Sequence, residues 1–429
     1  MSGTGTKEAH NDFPCIDGLR AVAACAVVLC HTVGVSSLID STTGAYLAAL
    51  RAGVQIFFVI SGFVLYRPFA QAHRTGGRGP SLGGYFRRRF LRIFPAYWVV
   101  LTVGFLLGVI TLYGVPSTIQ NYLLVQGYFT QPLYADHKLV FLGLAPAWTL
   151  VAEVSFYVFL PFYALAVWKV GRRRPLPVEV AGLVLLAAVG MSASAWVAYG
   201  TPPRAVGVLP ANLTPFALGM ALAVAKAHVK PGGRPSLWAE RAFGTPWKAW
   251  LVAAVAFSAT VWAVHYPAVL SFFRIPGATQ MSYVSLIDVM GLLVVLPAVF
   301  GDQYRGAGRR VLRAGPIVFL GIISYGIYLW HVPVIDESLK LNMYGTRHGF
   351  PRFDFFEVTA VTLVCTALLA TASWYALEKP VIAFSHRRRL VPWGRGLRPD
   401  TPSVAHAGPE APTAASTTGE VILEPSTAD

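Results

Sequence analysis

The sequence has little charge: only 13% of its 429 residues are charged, and 20 residues are acidic. Hydrophobic side chains make up 55% of the chain and the mean hydropathy is +0.54, which excludes an ordinary soluble globular protein. The net charge of +15 does not indicate a nucleic-acid partner, because the basic residues lie in short clusters between long apolar runs. We therefore expect an integral membrane protein.

Cysteine is also scarce, and its four positions reveal no disulfide framework. Cys15, Cys25, Cys30 and Cys365 all lie at or within apolar runs, where cysteine acts as a small apolar side chain. The sequence shows no internal repeat, metal-ligand pattern or cleavable signal peptide, so we expect the first run to remain as a signal anchor. Residues 387–429 are rich in Pro, Thr, Ala, Ser and Glu, which predicts a disordered cytoplasmic tail.

Ten apolar runs are long enough to cross a bilayer, which takes roughly 20 residues. They are 16–35, 53–70, 92–113, 146–168, 178–198, 206–226, 247–265, 281–300, 315–335 and 355–378. A shorter stretch, 121–129, is expected to be an interfacial or re-entrant piece. The sequence therefore predicts an all-α integral membrane fold with about ten transmembrane helices, a cytoplasmic segment over 1–15 and a transmembrane domain over 16–386.

Basic residues are divided unevenly between the two sides of this predicted bundle. Of the 35 Lys and Arg residues, 27 lie in the termini and in the connections after even-numbered runs, and seven lie in the other connections. Basic connections favour the cytoplasmic side, so both termini are predicted to be cytoplasmic. That prediction requires an even number of spans.

Ionisable side chains inside apolar runs indicate function, because a charge in hydrocarbon costs about 3 kcal/mol. Arg20 and His31 share a face of the first run and stand about 16 Å apart along it. The alternative is that Arg20 pairs locally with Asp17 while His31 lies in the headgroup region. Glu153 lies about 10 Å below the outer end of the fourth run. Asp288 lies at a similar depth in the eighth run, where capping a neighbouring helix is an equal alternative.

A second polar face occurs in the ninth run, where Ser324, Tyr328 and His331 follow the spacing i, i+4 and i+7. Aromatic residues near an interface are often belt residues, so this segment alone does not establish a site. The predicted topology, however, places His31, Glu153 and His331 in the outer half of the membrane. We expect these three side chains to share a cavity.

Four arginines lie close together on the inner side, at the start of the third run. Arg87, Arg88, Arg89 and Arg92 fall within six residues, beside aromatic side chains. Such a cluster is typical of the positive-inside signal with anionic lipid contacts. It also suits a phosphate-rich ligand, because guanidinium groups bind phosphate in a bidentate way and stack on planar rings.

Six segments, taken in order, resemble the acyltransferase 3 family of membrane acyltransferases, and the resemblance extends from Ile16 to about Pro380. The segments are 17–20 with His31, 53–63, 87–95, 148–150 with Glu153 and 156–157, 324–331, and 378–380. Two positions depart from the family pattern: Gln55 stands where an acidic residue is usual, and Val154 stands where many members carry a second carboxylate.

The resemblance implies O-acylation, commonly O-acetylation, of a sugar or another hydroxyl, with an acyl-CoA as donor. It matches Arg20 and His31 to the arginine and histidine regarded as essential in the family. It also implies the stand-alone form, without a C-terminal hydrolase-like domain, which includes enzymes that modify macrolide antibiotics. A bacterial inner membrane is expected from the family and the composition. Antibiotic, glycolipid and polysaccharide acceptors all stay open, as do the acyl chain and the oligomeric state.

Acyl transfer to a hydroxyl requires a base, donors for the oxyanion and a site that holds both substrates. We predict His31 as the base because imidazole titrates near neutrality, with Glu153 orienting it or binding the acceptor. His331 and Tyr328 would position the acceptor or polarise the thioester. If transfer instead passes through an acyl-enzyme, His31 and Ser61 are the candidates.

The remaining predicted roles concern binding. Arg20 and the four clustered arginines would hold the CoA phosphates at the cytoplasmic face, and Ser324 and Asp288 would contribute to the acceptor site. The distance between Arg20 and His31 is comparable to the reach of a pantetheine arm. The competing class is a transporter or flippase, since intramembrane histidines and carboxylates also form proton relays, but the repeated halves common in transporters are not visible. If the protein were a sensor or scaffold, the polar side chains within the apolar runs would have no functional role.

Overall fold

The computed structural model describes residues 13–77, 79–129, 133–135, 138–140, 143–199, 207–229, 246–264, 277–340 and 354–387. Their regular secondary structure is helical apart from one antiparallel hairpin, formed by β1 (Leu133–Ala135) and β2 (Lys138–Val140), in which Leu133 pairs with Val140. Most of the predicted segment 1–15 and nearly all of the predicted tail 387–429 lie outside the described residues.

Helices account for most of the residues that the structure describes. In chain order they are α1 (Cys15–Val33), α2 (Thr42–Ala49), α3 (Gly53–Thr75), α4 (Leu82–Leu106), α5 (Gly114–Tyr122), α6 (Gln126–Phe129), α7 (Trp148–Val170), α8 (Pro175–Tyr199), α9 (Leu213–His228), α10 (Pro246–Val264), α11 (Gly277–Val299), α12 (Ala307–Leu312), α13 (Gly315–Ile322), α14 (Ser324–Lys340), α15 (Phe355–Ser373) and α16 (Lys379–Arg387). Short 3-10 turns cover Ser37–Asp40, Leu50–Ala52, Ala145–Ala147 and Pro210–Asn212, and a π-helical turn covers Trp374–Glu378.

Within the described residues, seven helical segments are long and apolar enough to cross a membrane. They are Cys15–Val33, Thr42–Thr75, Leu82–Leu106, Ala145–Val170, Pro175–Tyr199, Thr279–Val299 and Phe355–Phe384. Helices α13 and α14 make an eighth if they are one span, bent by 69°. Helices α9 and α10 overlap the other two predicted runs but are not among these segments, and α9 has only 16 residues. The predicted count of ten and the orientation of the termini are therefore not confirmed.

Helices α3 and α9 pack with their backbones in contact, because glycine faces the partner on each helix. A Cβ atom at Gly62 would overlap the carbonyl oxygen of Phe216, and one at Gly219 would overlap the carbonyl oxygen of Val59. Small residues allow this close approach between membrane helices. Beside the contact, the rings of Phe156 and Phe216 stack with centroids 4.1 Å apart.

A buried polar cluster joins α3 to α8. Glu179 is completely buried, and its Oε1 accepts a hydrogen bond from the Tyr66 hydroxyl at 2.9 Å and lies 2.6 Å from His73 Nδ1. Glu179 is the only charged residue in α8. Because a buried carboxylate needs polar partners, this cluster fixes the start of α8 against the second half of α3.

A buried arginine closes the C-terminal end of α11. Arg309 Nη2 donates to the carbonyl oxygens of Pro297 and Phe300, each at 2.9 Å. The Gln303 amide donates to the same two oxygens at 3.2 Å. A helix leaves its last carbonyls without partners within the helix, so these side chains supply the hydrogen bonds that the end of α11 requires.

Candidate active site

A cavity of about 410 Å³ lies among α1, α3, α4, α7 and α14. Its polar lining consists of Asp17, Arg20, Ser61, Arg67, Arg89, Arg92, Thr149, Glu153, Tyr157, Ser324, Tyr325 and Tyr328. The residues that α3 contributes extend from Val54 to Arg67, which is about 20 Å of helix. The length of this wall suits an elongated ligand.

Helix α4 presents two of its four clustered arginines to the cavity. Arg89 and Arg92 line it, whereas Arg87 and Arg88 do not. The two lining arginines are three residues apart and share a helix face. With Arg20 of α1, the cavity thus contains three of the five arginines predicted to hold phosphate.

Glu153 lies on the cavity wall between two hydroxyl donors. Its Oε1 accepts hydrogen bonds from Ser61 Oγ at 3.0 Å and from the Tyr157 hydroxyl at 2.7 Å. The Arg89 guanidinium carbon lies 5.8 Å from the centroid of the Tyr157 ring. These contacts hold Glu153 on the cavity wall. The His31 ring makes its hydrogen bond with the carbonyl oxygen of Val27 instead of with Glu153.

His31 and His331 face each other beyond the cavity. Their ring centroids are 4.8 Å apart and their planes meet at 68°. Neither histidine lines the cavity, but Tyr328 does, and its ring centroid lies 5.6 Å from that of His331. The structure therefore brings the two histidines together, but the predicted cavity shared by His31, Glu153 and His331 is not seen in the described residues, since only Glu153 lines the cavity.

Backbone carbonyls fix the tautomer of both imidazoles. His31 Nδ1 lies 2.9 Å from the carbonyl oxygen of Val27, and His331 Nδ1 lies 2.7 Å from that of Tyr328. A carbonyl only accepts, so each neutral ring carries its hydrogen on Nδ1 and a lone pair on Nε2. His331 Nε2 is buried and has no hydrogen-bond partner among the described residues. Each ring of the pair thus offers an Nε2 atom that accepts a proton.

Tyr328 is anchored where it separates the cavity from the histidines. Its hydroxyl donates to the carbonyl oxygen of Pro146 at 3.0 Å and lies 2.7 Å from Thr149 Oγ1. Ser324, one turn earlier on α14, also lines the cavity, and its Oγ is buried without a partner in the described part of the chain. The predicted face of Ser324 and Tyr328 therefore turns toward the cavity.

Asp288 lies away from the cavity. It is 3% exposed on α11, and its Oδ1 has no hydrogen-bond partner within the described ranges. Helix α11 approaches α3 near Gln55, where a Cβ atom at Gly291 would lie 3.4 Å from the Gln55 Cβ. The structure brings Ser324 and Tyr328 to the cavity but not Asp288, which was also predicted to contribute to the acceptor site.

Several lining residues received no role from the sequence. Tyr157 follows Glu153 by four residues, and this i, i+4 spacing is the signal that would have found it. Phe13 and Arg67 also line the cavity. They come from segments that the sequence pattern assigns to the membrane boundary, so periodicity within one helix gives no sign that they meet.

Comparison with known proteins places these residues in a family. A family described as an acyltransferase domain matches residues 13–378. The acyltransferase MdmB of Streptomyces mycarofaciens is 28% identical over 408 residues, which cover 88% of this chain and 94% of MdmB. The peptidoglycan O-acetyltransferase OatA of Listeria monocytogenes is 26% identical over 399 residues, which cover 88% of this chain.

The extent of the match differs among these relatives. The chain spans little more than half of some of them, 57% of OatA and 55% of YrhL from Bacillus subtilis. No solved structure matches this chain. The cavity and the histidine pair both lie within the segment that the family match covers.

Proposed function

The chain belongs to the acyltransferase 3 family, and from that premise we propose that it transfers an acyl group, with acetyl the expected one, from acyl-CoA to a hydroxyl of a glycan or macrolide-like acceptor. It is a multi-pass membrane acyltransferase, in keeping with its apolar helices and its relatives named as O-acetyltransferases. The acyl-CoA donor, the class of acceptor and the location in a bacterial inner membrane are the parts of this function that we propose.

One observation carries the assignment of the donor: an elongated cavity holds arginines along part of its wall and approaches a histidine pair at Tyr328. Arg20, Arg89 and Arg92 would bind the CoA diphosphate, because guanidinium groups form paired hydrogen bonds with phosphate. The pantetheine arm would lie along α3, whose wall of about 20 Å suits its length. The thioester would then reach Tyr328.

The histidine pair supplies the chemistry. We expect His31 Nε2 to take the proton of the acceptor hydroxyl while the hydroxyl oxygen bonds to the thioester carbonyl carbon. The carbon–sulfur bond then breaks, and the same proton passes from His31 to the sulfur, which yields an ester and CoA with a free thiol. His331 and Tyr328 would position the acceptor or polarise the thioester, and Ser324 and Glu153 would hold polar groups of the substrates.

The experiment that tests this function is acceptor-dependent thiol release by the purified full chain in detergent. Acetyl-CoA and longer acyl-CoA esters are supplied with candidate sugar and macrolide hydroxyl acceptors, and the acylated product is identified by mass. We expect release only when donor and acceptor are both present. If no donor gives release while a candidate substrate moves across reconstituted vesicles, the transporter alternative replaces the enzyme.

A further inference from the structure

A second group of cations lies around Phe13, at one end of the cavity: Arg67 lines the cavity, and Lys226 lies behind the lining, between the rings of Phe13 and Phe300. Phe13 is 8% exposed and lines the cavity. The Arg67 guanidinium carbon lies 4.7 Å from the centroid of its ring, and Lys226 Nζ lies 5.8 Å from the same centroid. The ring is held edge-on against Phe63 with centroids 5.0 Å apart. Two cations, one from α3 and one from α9, thus lie against the same aromatic ring.

The charges along the cavity favour an anion. The lining contains four arginines and two carboxylates: Arg20, Arg67, Arg89, Arg92, Asp17 and Glu153. Lys226 adds a further positive charge beside Phe13. Cations held against aromatic rings keep their charge at little cost, and a partly buried cation attracts an anion more strongly than one in water. An occupant with more than one anionic group therefore fits this cavity.

The cations form two groups on different helices, and this division distinguishes CoA from simpler thioesters. Arg20, Arg89 and Arg92 come from α1 and α4, whereas Arg67 and Lys226 come from α3 and α9. CoA carries a diphosphate and, separately, a phosphate on the 3′ carbon of its ribose. Its adenine is a planar ring that stacks on a guanidinium or on an aromatic face.

We propose that Phe13, Arg67 and Lys226 form a subsite for the 3′-phosphoadenosine end of the acyl donor. This inference rests on the proposed function and refines it, because it assigns the 3′-phosphate and the adenine of the acyl-CoA to named residues. Lys226 binds the 3′-phosphate as a point charge, and Arg67 and Phe13 hold the adenine. The subsite lies at the opposite end of α3 from the residues near Tyr328.

The test compares two donors that differ only in the 3′-phosphate. For the purified full chain, kcat/KM is measured with acetyl-CoA and with acetyl-dephospho-CoA, in wild type, Lys226→Gln and Arg67→Gln. We expect wild type to prefer acetyl-CoA by about 10-fold, the worth of one charge-assisted contact. Lys226→Gln should bring that ratio close to one, and Lys226→Arg should restore it. Arg67→Gln should weaken both donors.

The matched control is Arg172→Gln, which removes an arginine that also covers an aromatic ring, 5.0 Å from Trp168, but whose ring partner, unlike Phe13, does not line the cavity. It should leave the donor ratio unchanged. If wild type shows no preference, or if Lys226→Gln lowers both donors equally, the subsite is overturned while the acyltransferase function stands.

Direct binding separates the two proposals. Free CoA and dephospho-CoA are titrated against each protein without an acceptor. Thiol release could fail with every donor. In that case, wild type that binds CoA more tightly than dephospho-CoA, together with a Lys226→Gln variant that binds both equally, still supports the subsite. Equal binding of the two nucleotides, or no binding of either, overturns it.

Discussion

At the scale of single residues, the hydrogen bond between His31 and the Val27 carbonyl determines which ring nitrogen is able to accept a proton. Because Nδ1 is occupied as a donor to that carbonyl, 2.9 Å away, a proton taken from a substrate must arrive at Nε2. A carboxylate is not required to orient this ring, since the helix itself provides the acceptor. The role predicted for Glu153 as an orienting group therefore receives no support from its contacts, and acceptor binding is the role that we retain in the proposal.

Replacing His31 by Ala removes the proposed base. We expect acceptor-dependent thiol release to fall by about 100-fold or more, the lower range for a positioned general base, while the amount of protein in the membrane stays the same. Val22→Ala is the control, because Val22 lies on the same helix and is 48% exposed. Near-normal release by the His31 variant would remove this residue from the mechanism.

Ser61 tests whether transfer is direct. Its hydroxyl lines the cavity and donates to Glu153 at 3.0 Å, so it has a partner of the kind that a nucleophile requires. For direct transfer we expect Ser61→Ala to lower kcat/KM by less than about 10-fold, the loss of one hydrogen bond. Mass spectrometry of the protein after acetyl-CoA addition gives a second reading. A large loss together with an acetylated serine in wild type would show an acyl-enzyme.

At the scale of helices, the end of α11 depends on one guanidinium. Arg309 is completely buried and donates to the Pro297 and Phe300 carbonyls. We expect Arg309→Ala to lower the free energy of unfolding in detergent by about 3 kcal/mol, since hydrogen bonds to a charged group are lost and carbonyls stay buried. Arg310→Ala, at an exposed neighbour on the same helix, should change it little. Equal effects of both substitutions would contradict this assignment.

The contact between α3 and α8 gives a second prediction at this scale. Removing one partner of a buried pair leaves the other without compensation, which costs about 3 kcal/mol or more. We expect this loss for Glu179→Ala, measured as resistance to unfolding in detergent. Adding His73→Ala should cost clearly less in that variant than in wild type, because the pair is already broken. Strictly additive losses would mean that His73 and Glu179 do not interact.

Helix positions were predicted well because apolar runs of about 20 residues are a strong signal, and each of the ten runs overlaps a helix. The bend between α13 and α14 was not predicted, since the sequence around Ile323 lacks a proline at the break. By contrast, the face shared by Ser324 and Tyr328 was predicted, because it follows from helical spacing. The position of Tyr328 between the cavity and His31 depends on packing between distant helices, which periodicity within one helix does not contain.

At the scale of the whole molecule, the number of spans decides where the termini lie. Seven spans would place them on opposite sides, whereas eight, with α13 and α14 as one bent span, or ten would place them on the same side. The excess of basic residues in the termini and alternate connections favours the same, cytoplasmic side.

Cysteine accessibility tests this topology. We expect Ser2→Cys and Ser416→Cys to react with a membrane-impermeant maleimide only in inverted vesicles or after permeabilisation. Val115→Cys is the control for the other side, because it lies on α5 and is 71% exposed. It should react in intact, right-side-out vesicles. Opposite labelling of the two terminal positions would require an odd number of spans.

The backbone contact between α3 and α9 has a consequence for substrate selection. Because the two helices touch at Gly62 and Gly219, we expect them to move together and the α3 wall from Val54 to Arg67 to keep a constant length. If the proposed donor is held by its nucleotide near Arg67, it would present its thioester at a fixed depth. With the thioester at Tyr328, each methylene added to an acetyl group would have to displace that ring, so the rigidity of one helix pair would discriminate among acyl chains by length.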